Sequence, residues 1–133
     1  MPSQNNPGRQ YDKQHATTVV ATARIEANRF VGYDGAHATS AGGVHDSQGI
    51  SEFAADIGEA TSVVTGYSYL VQLGTGVTVA FGDLLKPAAD GSGTAIVGDG
   101  AEYCARALGA GVAGDLIEVE IDQHMHAAAG GGA

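Results

Sequence analysis

Apolar and polar residues alternate along much of this chain with a period of two. This is the period of a β-strand, because successive strand side chains point to opposite faces. The pattern is clearest at residues 115–121, DLIEVEI. Here Ile117, Val119 and Ile121 share one face, and the two glutamates between them share the other. The alternation predicts a half-buried final strand.

The same pattern predicts short strands along the rest of the chain, separated by glycine-rich turns. They fall at residues 17–25, 28–33, 44–53, 60–73, 77–81, 83–86, 94–97 and 101–108. In the run 77–81, Val77, Val79 and Phe81 are expected on one face. The sum is an all-β fold: a small β-sandwich or barrel of about eight to ten short strands with an extended N-terminal arm.

Two of these segments are open to more than one interpretation. Gly66, in the middle of residues 60–73, indicates a bulge, a bend or two strands in one run. Residues 101–108, AEYCARAL, are also compatible with a helix by propensity. We favour a strand there, because glycines at 98, 100 and 109 bracket the segment tightly.

A length of 133 residues fits one domain with polar ends. Residues 1–16 lack periodicity and predict the extended arm, with a frayed terminus as the plain alternative. Residues 17–122 form the β-rich domain. Residues 123–133, which include His124 and His126 and end in AAAGGGA, are expected to be a flexible tail.

The formal net charge of -9 makes a phosphate backbone an unfavourable partner for the folded body, so we expect no nucleic-acid partner. Four of the six basic residues lie in the first 29 positions. Arg9, Tyr11 and Lys13 are therefore the candidate contacts of an arm that reaches an acidic or mixed surface. No apolar run is long enough to span a membrane, and the first residues lack the apolar region of a secretory signal. We therefore expect no membrane partner.

The residues with potential chemistry do not form a recognisable catalytic or metal-binding pattern. Cys104, the one cysteine, stands in an apolar segment and is expected to be a buried core residue. Asp34, His37, His45 and Asp46 are the one loose cluster of metal-type ligands, and their spacing matches no familiar zinc pattern. The sequence therefore predicts no catalytic, cofactor-binding or metal site, and a protein that is not an enzyme.

Tyr67 and Tyr69 have two interpretations. They are either a pair of rings on which a ligand stacks, or a pair that packs in the core and across strands. We favour the core interpretation, because both share the parity of Val71 and Leu73.

Three stretches together resemble the small capsid decoration (cement) proteins of tailed bacteriophages. They are VVTGYSYLVQLGTG at 63–76, FGDLLKPAADGSGTAI at 81–96 and ARALGAGVAGDLIEVEI at 105–121. What they share with that family is a strand that ends in glycine, a Gly-Asp-x-Leu step, a turn of small residues and an alanine-rich, Gly-Asp, alternating-valine ending. The resemblance covers residues 17–121 and includes no catalytic signature.

The resemblance implies a structural virion protein that decorates and stabilises a phage capsid by bridging major capsid protein subunits. It also implies a place on the outer surface of the capsid and synthesis in the host cytoplasm. A homo-oligomer is expected, a trimer or alternatively a dimer, because association covers the unpaired edges of short strands.

The alternative is a non-catalytic β-sandwich binding module, for carbohydrate or cell-surface recognition, on a phage fibre or host surface. The absence of tryptophan weighs against the exposed aromatic platform that such a module needs.

Overall fold

The computed structural model describes residues 15–40 and 43–122, and this part of the chain is all-β, as predicted. Its eleven strands are β1 Ala16–Val20, β2 Phe30–Gly32, β3 Ser47–Ser51, β4 Ala60–Val64, β5 Ser68–Gln72, β6 Thr78–Val79, β7 Leu84–Pro87, β8 Ala95–Val97, β9 Ala105–Ala107, β10 Gly111–Val112 and β11 Leu116–Ile121. A single 3-10 turn, Gly43–His45, precedes β3. No helix in the described ranges is long and apolar enough to cross a membrane.

The strands form two main sheets and a short ribbon, and their strand pairs are antiparallel. The first sheet has the order β1-β4-β3-β2, and the second has the order β5-β11-β9-β7-β8. Strands β6 and β10 form the ribbon. Gly66 separates β4 from β5, which confirms two strands in one run. The segment 101–108 contains β9 rather than a helix.

The five-stranded sheet curls until its two edges meet at one bridge. Leu73, just after β5, forms a parallel bridge with Ala95 at the start of β8. The amide of Gly74 donates to the Ala95 carbonyl over 2.8 Å. A Cβ on Gly74 would lie 2.9 Å from Oγ1 of Thr94, so a larger residue would push the two edges apart.

Strand β11 lies between β5 and β9 in this sheet, and its alternation is as predicted. Ile117 and Val119 are buried in the main core, and Ile121 packs against it. The intervening Glu118 and Glu120 are exposed. The apolar face of the best-patterned segment therefore forms one wall of the core.

Two apolar clusters fill the interior. The larger one lies inside the curled sheet, and it includes Phe30 and Ile50 from the first sheet. The smaller one lies under the first sheet and contains Ile25, Val31 and Val63. Because Phe30 and Val31 point into different clusters, the single short strand β2 belongs to both.

Residues 28–30 join the two sheets through the backbone. Asn28 donates to the Ser51 carbonyl over 2.9 Å and accepts from the Gln72 amide over 3.0 Å. Phe30 donates to the Gly93 carbonyl over 2.8 Å. Asn28 has a φ of 60°, a left-handed conformation that asparagine tolerates better than most residues.

Several details differ from the sequence expectation. The described residues form eleven strands rather than eight to ten, and the short strand β10 was not predicted. Strand β1 begins at Ala16 rather than Thr17, and the rest of the proposed arm and nearly all of the proposed tail lie outside the described residues. Phe81 does not share the face of Val79, because it is 72% exposed whereas Val79 is buried. The alternation stops because β6 ends at Val79 and the chain turns, with the Asp83 carboxylate accepting from the Ala80 amide over 2.9 Å.

Leu85 and Leu70 provide a matched test of this core. Leu85 is completely buried in β7, whereas Leu70 of β5 in the same sheet is 43% exposed. We expect Leu85→Ala to lower the free energy of unfolding by about 2–5 kcal/mol, because it leaves a cavity. Leu70→Ala should cost about 0.5 kcal/mol or less. Urea denaturation followed by circular dichroism measures both, and equal costs would contradict the placement of the core.

Candidate interaction sites

The arm residues that the sequence nominated lie outside the described residues. They are Arg9, Tyr11 and Lys13, and the same holds for His124 and His126. The surface of residues 15–40 and 43–122 is therefore where candidate sites are found.

Tyr67 occupies the turn between β4 and β5 and is 73% exposed, so the prediction that it is a core residue is wrong. Its φ of 61° takes it out of the strand alternation on which that prediction depended. Its ring instead contacts the ring of His15, with centroids 4.0 Å apart and an angle of 52° between the planes. Tyr69, inside β5, packs partly buried against the main core, as predicted.

A pocket of about 270 Å³ opens beside this aromatic pair. Its walls come from the residue before β1, the end of β4, the Tyr67 turn, the start of β5 and the residue after β3. That residue is Glu52, whose Oε1 is buried and has no hydrogen-bond partner in the described part of the chain. A buried acceptor without a donor is rare in folded proteins and calls for an explanation.

Tyr69 lies on the same wall as this carboxylate and responds to it. Burial raises the pKa of the Tyr69 hydroxyl, and the negative charge of Glu52 raises it further. The tyrosine therefore stays protonated at neutral pH. The pocket combines one carboxylate with aromatic rings, and no sequence pattern predicted it, because its residues come from three separate segments, at residues 15, 52 and 64–69.

The loose cluster of metal-type residues is used for loop structure. His37 accepts the Glu26 amide at Nε2 and contacts the Gly91 carbonyl through Nδ1, both over 3.0 Å. Burial lowers the pKa of His37, in keeping with a neutral ring that accepts at Nε2. His45 pairs with Asp34 over 3.0 Å. Within residues 15–40 and 43–122, no group of three or more potential ligands could hold a metal ion.

Cys104 is a core residue, as predicted. It is 2% exposed within the main apolar cluster, and burial raises the pKa of its thiol well above the ordinary value. A thiol in this state is protonated at neutral pH, so it lacks the thiolate that nucleophilic catalysis requires.

Exposed apolar side chains form the other candidate contacts. Leu70 and Leu116 lie on the outer face of neighbouring strands β5 and β11, 43% and 51% exposed, and the strand register makes them diagonal neighbours. Phe53 and Ile57 are exposed in the loop between β3 and β4, which is hydrogen-bonded to the end of β1 through Ala21. Exposed apolar side chains of this kind often mark sites of protein association.

The fold is similar to one solved structure in particular, the crystal structure of the head fiber gp8.5 N base in bacteriophage phi29. The TM-score is 0.64 and the sequence identity is 21%, over 83% of this chain and 95% of that chain. At this identity, the likeness shows a shared fold. No protein-family model and no curated protein matches the sequence.

The burial of Cys104 predicts a thiol that reacts slowly. With a disulfide reagent such as Ellman's reagent, the native protein should react roughly a hundredfold or more slowly than the same protein in concentrated urea, because attack requires the core to open. The absorbance of the released thiolate measures both rates. Rapid labelling of the native protein would show that Cys104 is accessible.

Proposed function

We propose that this chain is a structural protein of a bacteriophage virion, which decorates the outer surface of the capsid and bridges major capsid protein subunits. The observation that carries the proposal is the fold shared with a phage head fiber base, of which 95% is covered. The resemblance of residues 17–121 to capsid decoration proteins supports it independently, because it rests on glycine and strand patterns in the sequence.

The proposed mechanism is mechanical rather than catalytic, and the protein is not an enzyme. A closed β-body with exposed apolar side chains, such as Leu70 and Leu116, can bury area against neighbouring protein subunits. Many copies of a modest interface over a shell add up to a large stabilisation. The acidic surface supports protein partners rather than nucleic acid or membranes.

The protein is proposed to act as a homo-oligomer, a trimer at local three-fold positions or alternatively a dimer. Support comes from β1, which lies at one edge of the first sheet and whose residues Thr17, Thr18 and Val20 are exposed. An unpaired edge is a template for pairing with another chain, and association would cover it. Synthesis in the host cytoplasm, before attachment to the shell, is part of the same proposal.

A second candidate is a binding module on a phage fibre, such as the anchoring base of a head fibre. The same comparison favours it, because the matched structure is itself the base of a head fiber. Recognition of carbohydrate or of a cell surface would then belong to the fibre. The two candidates differ in what binding does to the shell.

The decisive experiment mixes the full chain with expanded, empty shells of its phage and measures co-sedimentation and thermal disruption together. A decoration protein that bridges subunits should co-sediment and raise the temperature at which the shells break, because it binds intact shells preferentially. A fibre base should co-sediment and leave that temperature unchanged. The negative control is the Leu85→Ala variant under conditions in which circular dichroism shows it to be unfolded, because an unfolded chain should not bind the shells. Failure to co-sediment would overturn both candidates.

The N-terminal arm gives a further prediction about retention on the shell. Deleting residues 2–14 removes Arg9, Tyr11 and Lys13 and keeps every described residue, including the Ala16–Val64 pair at the start of β1. Ordering an arm costs roughly 1–2 kcal/mol per residue, which contacts on a neighbouring subunit must offset. We expect an unchanged circular dichroism spectrum and faster loss from shells on dilution. Equal retention would show that the segment does not contribute to holding the protein on the shell.

A further inference from the structure

The pocket beside Tyr67 has the chemistry of a site for a positively charged group. Glu52 lies on its wall, held by a backbone hydrogen bond from its amide to the Ser62 carbonyl over 2.9 Å. Its Oε1 is buried, and no donor from residues 15–40 or 43–122 reaches it. The carboxylate of Glu52 gives the lining of this pocket a negative charge, and an ammonium or guanidinium group is the strongest donor to a carboxylate.

The aromatic rings of the pocket favour the same ligand. The faces of aromatic rings attract cations, and Tyr67 and Tyr69 line the cavity together with the His15 ring. Tyr67 is held at the mouth by a left-handed backbone, with a φ of 61°, in which non-glycine residues are strained. Strain of this kind is concentrated at binding sites, because the surrounding structure must maintain it.

The size of the pocket suits a single side chain. Its volume of about 270 Å³ lies just below the range of roughly 300–1,000 Å³ that is usual for small-molecule sites. An oligosaccharide or a nucleotide would need more room, and a phosphate or carboxylate would meet the Glu52 charge. A single arginine or lysine side chain satisfies the size, the charge and the aromatic walls.

The rest of the chain points to where this side chain comes from. The protein has six basic residues. The four in the described ranges already have partners. Arg24 forms ion pairs with Glu26 and Asp56, and Lys86 forms one with Glu102. Arg29 donates to the Gln72 side chain and the Ser92 carbonyl, and Arg106 donates to the Gly82 carbonyl. Arg9 and Lys13 are the remaining two, and their segment joins the domain at His15, which is itself a wall of the pocket.

We propose that this pocket binds one basic side chain and that its occupant is Arg9 or Lys13 of this protein. The pocket is then the docking site of the arm on its own domain or on a neighbouring copy. The proposal goes beyond the structural role proposed above and does not depend on any shell protein.

The test uses the full chain, N-acetyl-arginine amide as the probe and the neutral N-acetyl-citrulline amide as its control. Two-dimensional NMR follows the backbone amides of residues 66–69 during titration. In the double variant Arg9→Gln/Lys13→Gln the pocket is vacated, so the arginine probe should bind at least threefold more tightly than it binds the natural protein. Glu52→Gln in that background should weaken binding about tenfold, and Glu118→Gln, an exposed carboxylate on β11, should not change it.

Each remaining outcome overturns part of the proposal. If citrulline binds as well as arginine, or if Glu52→Gln has no effect, the pocket is not a cation site. If the natural protein and the double variant bind the probe equally, the arm is not the occupant. The NMR spectrum of each variant before titration shows whether it is folded, so a loss of binding is not confused with unfolding. Shell binding that persists without probe binding would leave the structural role intact.

Discussion

The structure depends on a short segment, residues 28–30, that is hydrogen-bonded to both main sheets. Its backbone reaches Ser51 on one side and Gln72 and Gly93 on the other. The guanidinium of Arg29 adds two contacts to Gln72 Oε1, of 3.2 and 3.0 Å, and one of 2.7 Å to the Ser92 carbonyl. A planar fork of donors can serve two loops at once, which an ammonium cannot do. These hydrogen bonds of residues 28–30 hold Phe30 in the main core, so the two sheets share one interior.

Closure of the five-stranded sheet explains why the interaction features lie where they do. When β5 and β8 meet at Leu73 and Ala95, that sheet has few free edges left for association. The accessible side chains of that sheet then lie on the outer face of β5 and β11, and other accessible groups lie in the loops, in the turn at Tyr67 and along the edge strand β1 of the first sheet. A fold of this kind keeps its core fixed while its surface loops are free to vary.

The fold likeness to a phage head fiber base at 21% identity has a physical explanation. A small β-body requires apolar residues at alternate positions and glycines where strands turn or close, and many sequences meet these conditions. Surfaces that bind particular partners are free to change. The shared fold therefore indicates a common kind of scaffold, while the partner must be read from surface chemistry such as the Glu52 and Tyr67 pocket.

The sequence by itself determined the all-β class, the alternation of β11, the break at Gly66 and the core position of Cys104, because these depend on local periodicity and hydrophobicity. It misplaced Tyr67 and Phe81, since alternation holds only while a strand continues, and turns end both strands before these residues. Only the tertiary structure brought His15, Glu52 and Tyr67 together, or placed the Arg29 guanidinium where it hydrogen-bonds to Gln72 and Ser92. Their partners are distant in sequence, and no local pattern records which segments a curled sheet brings into contact.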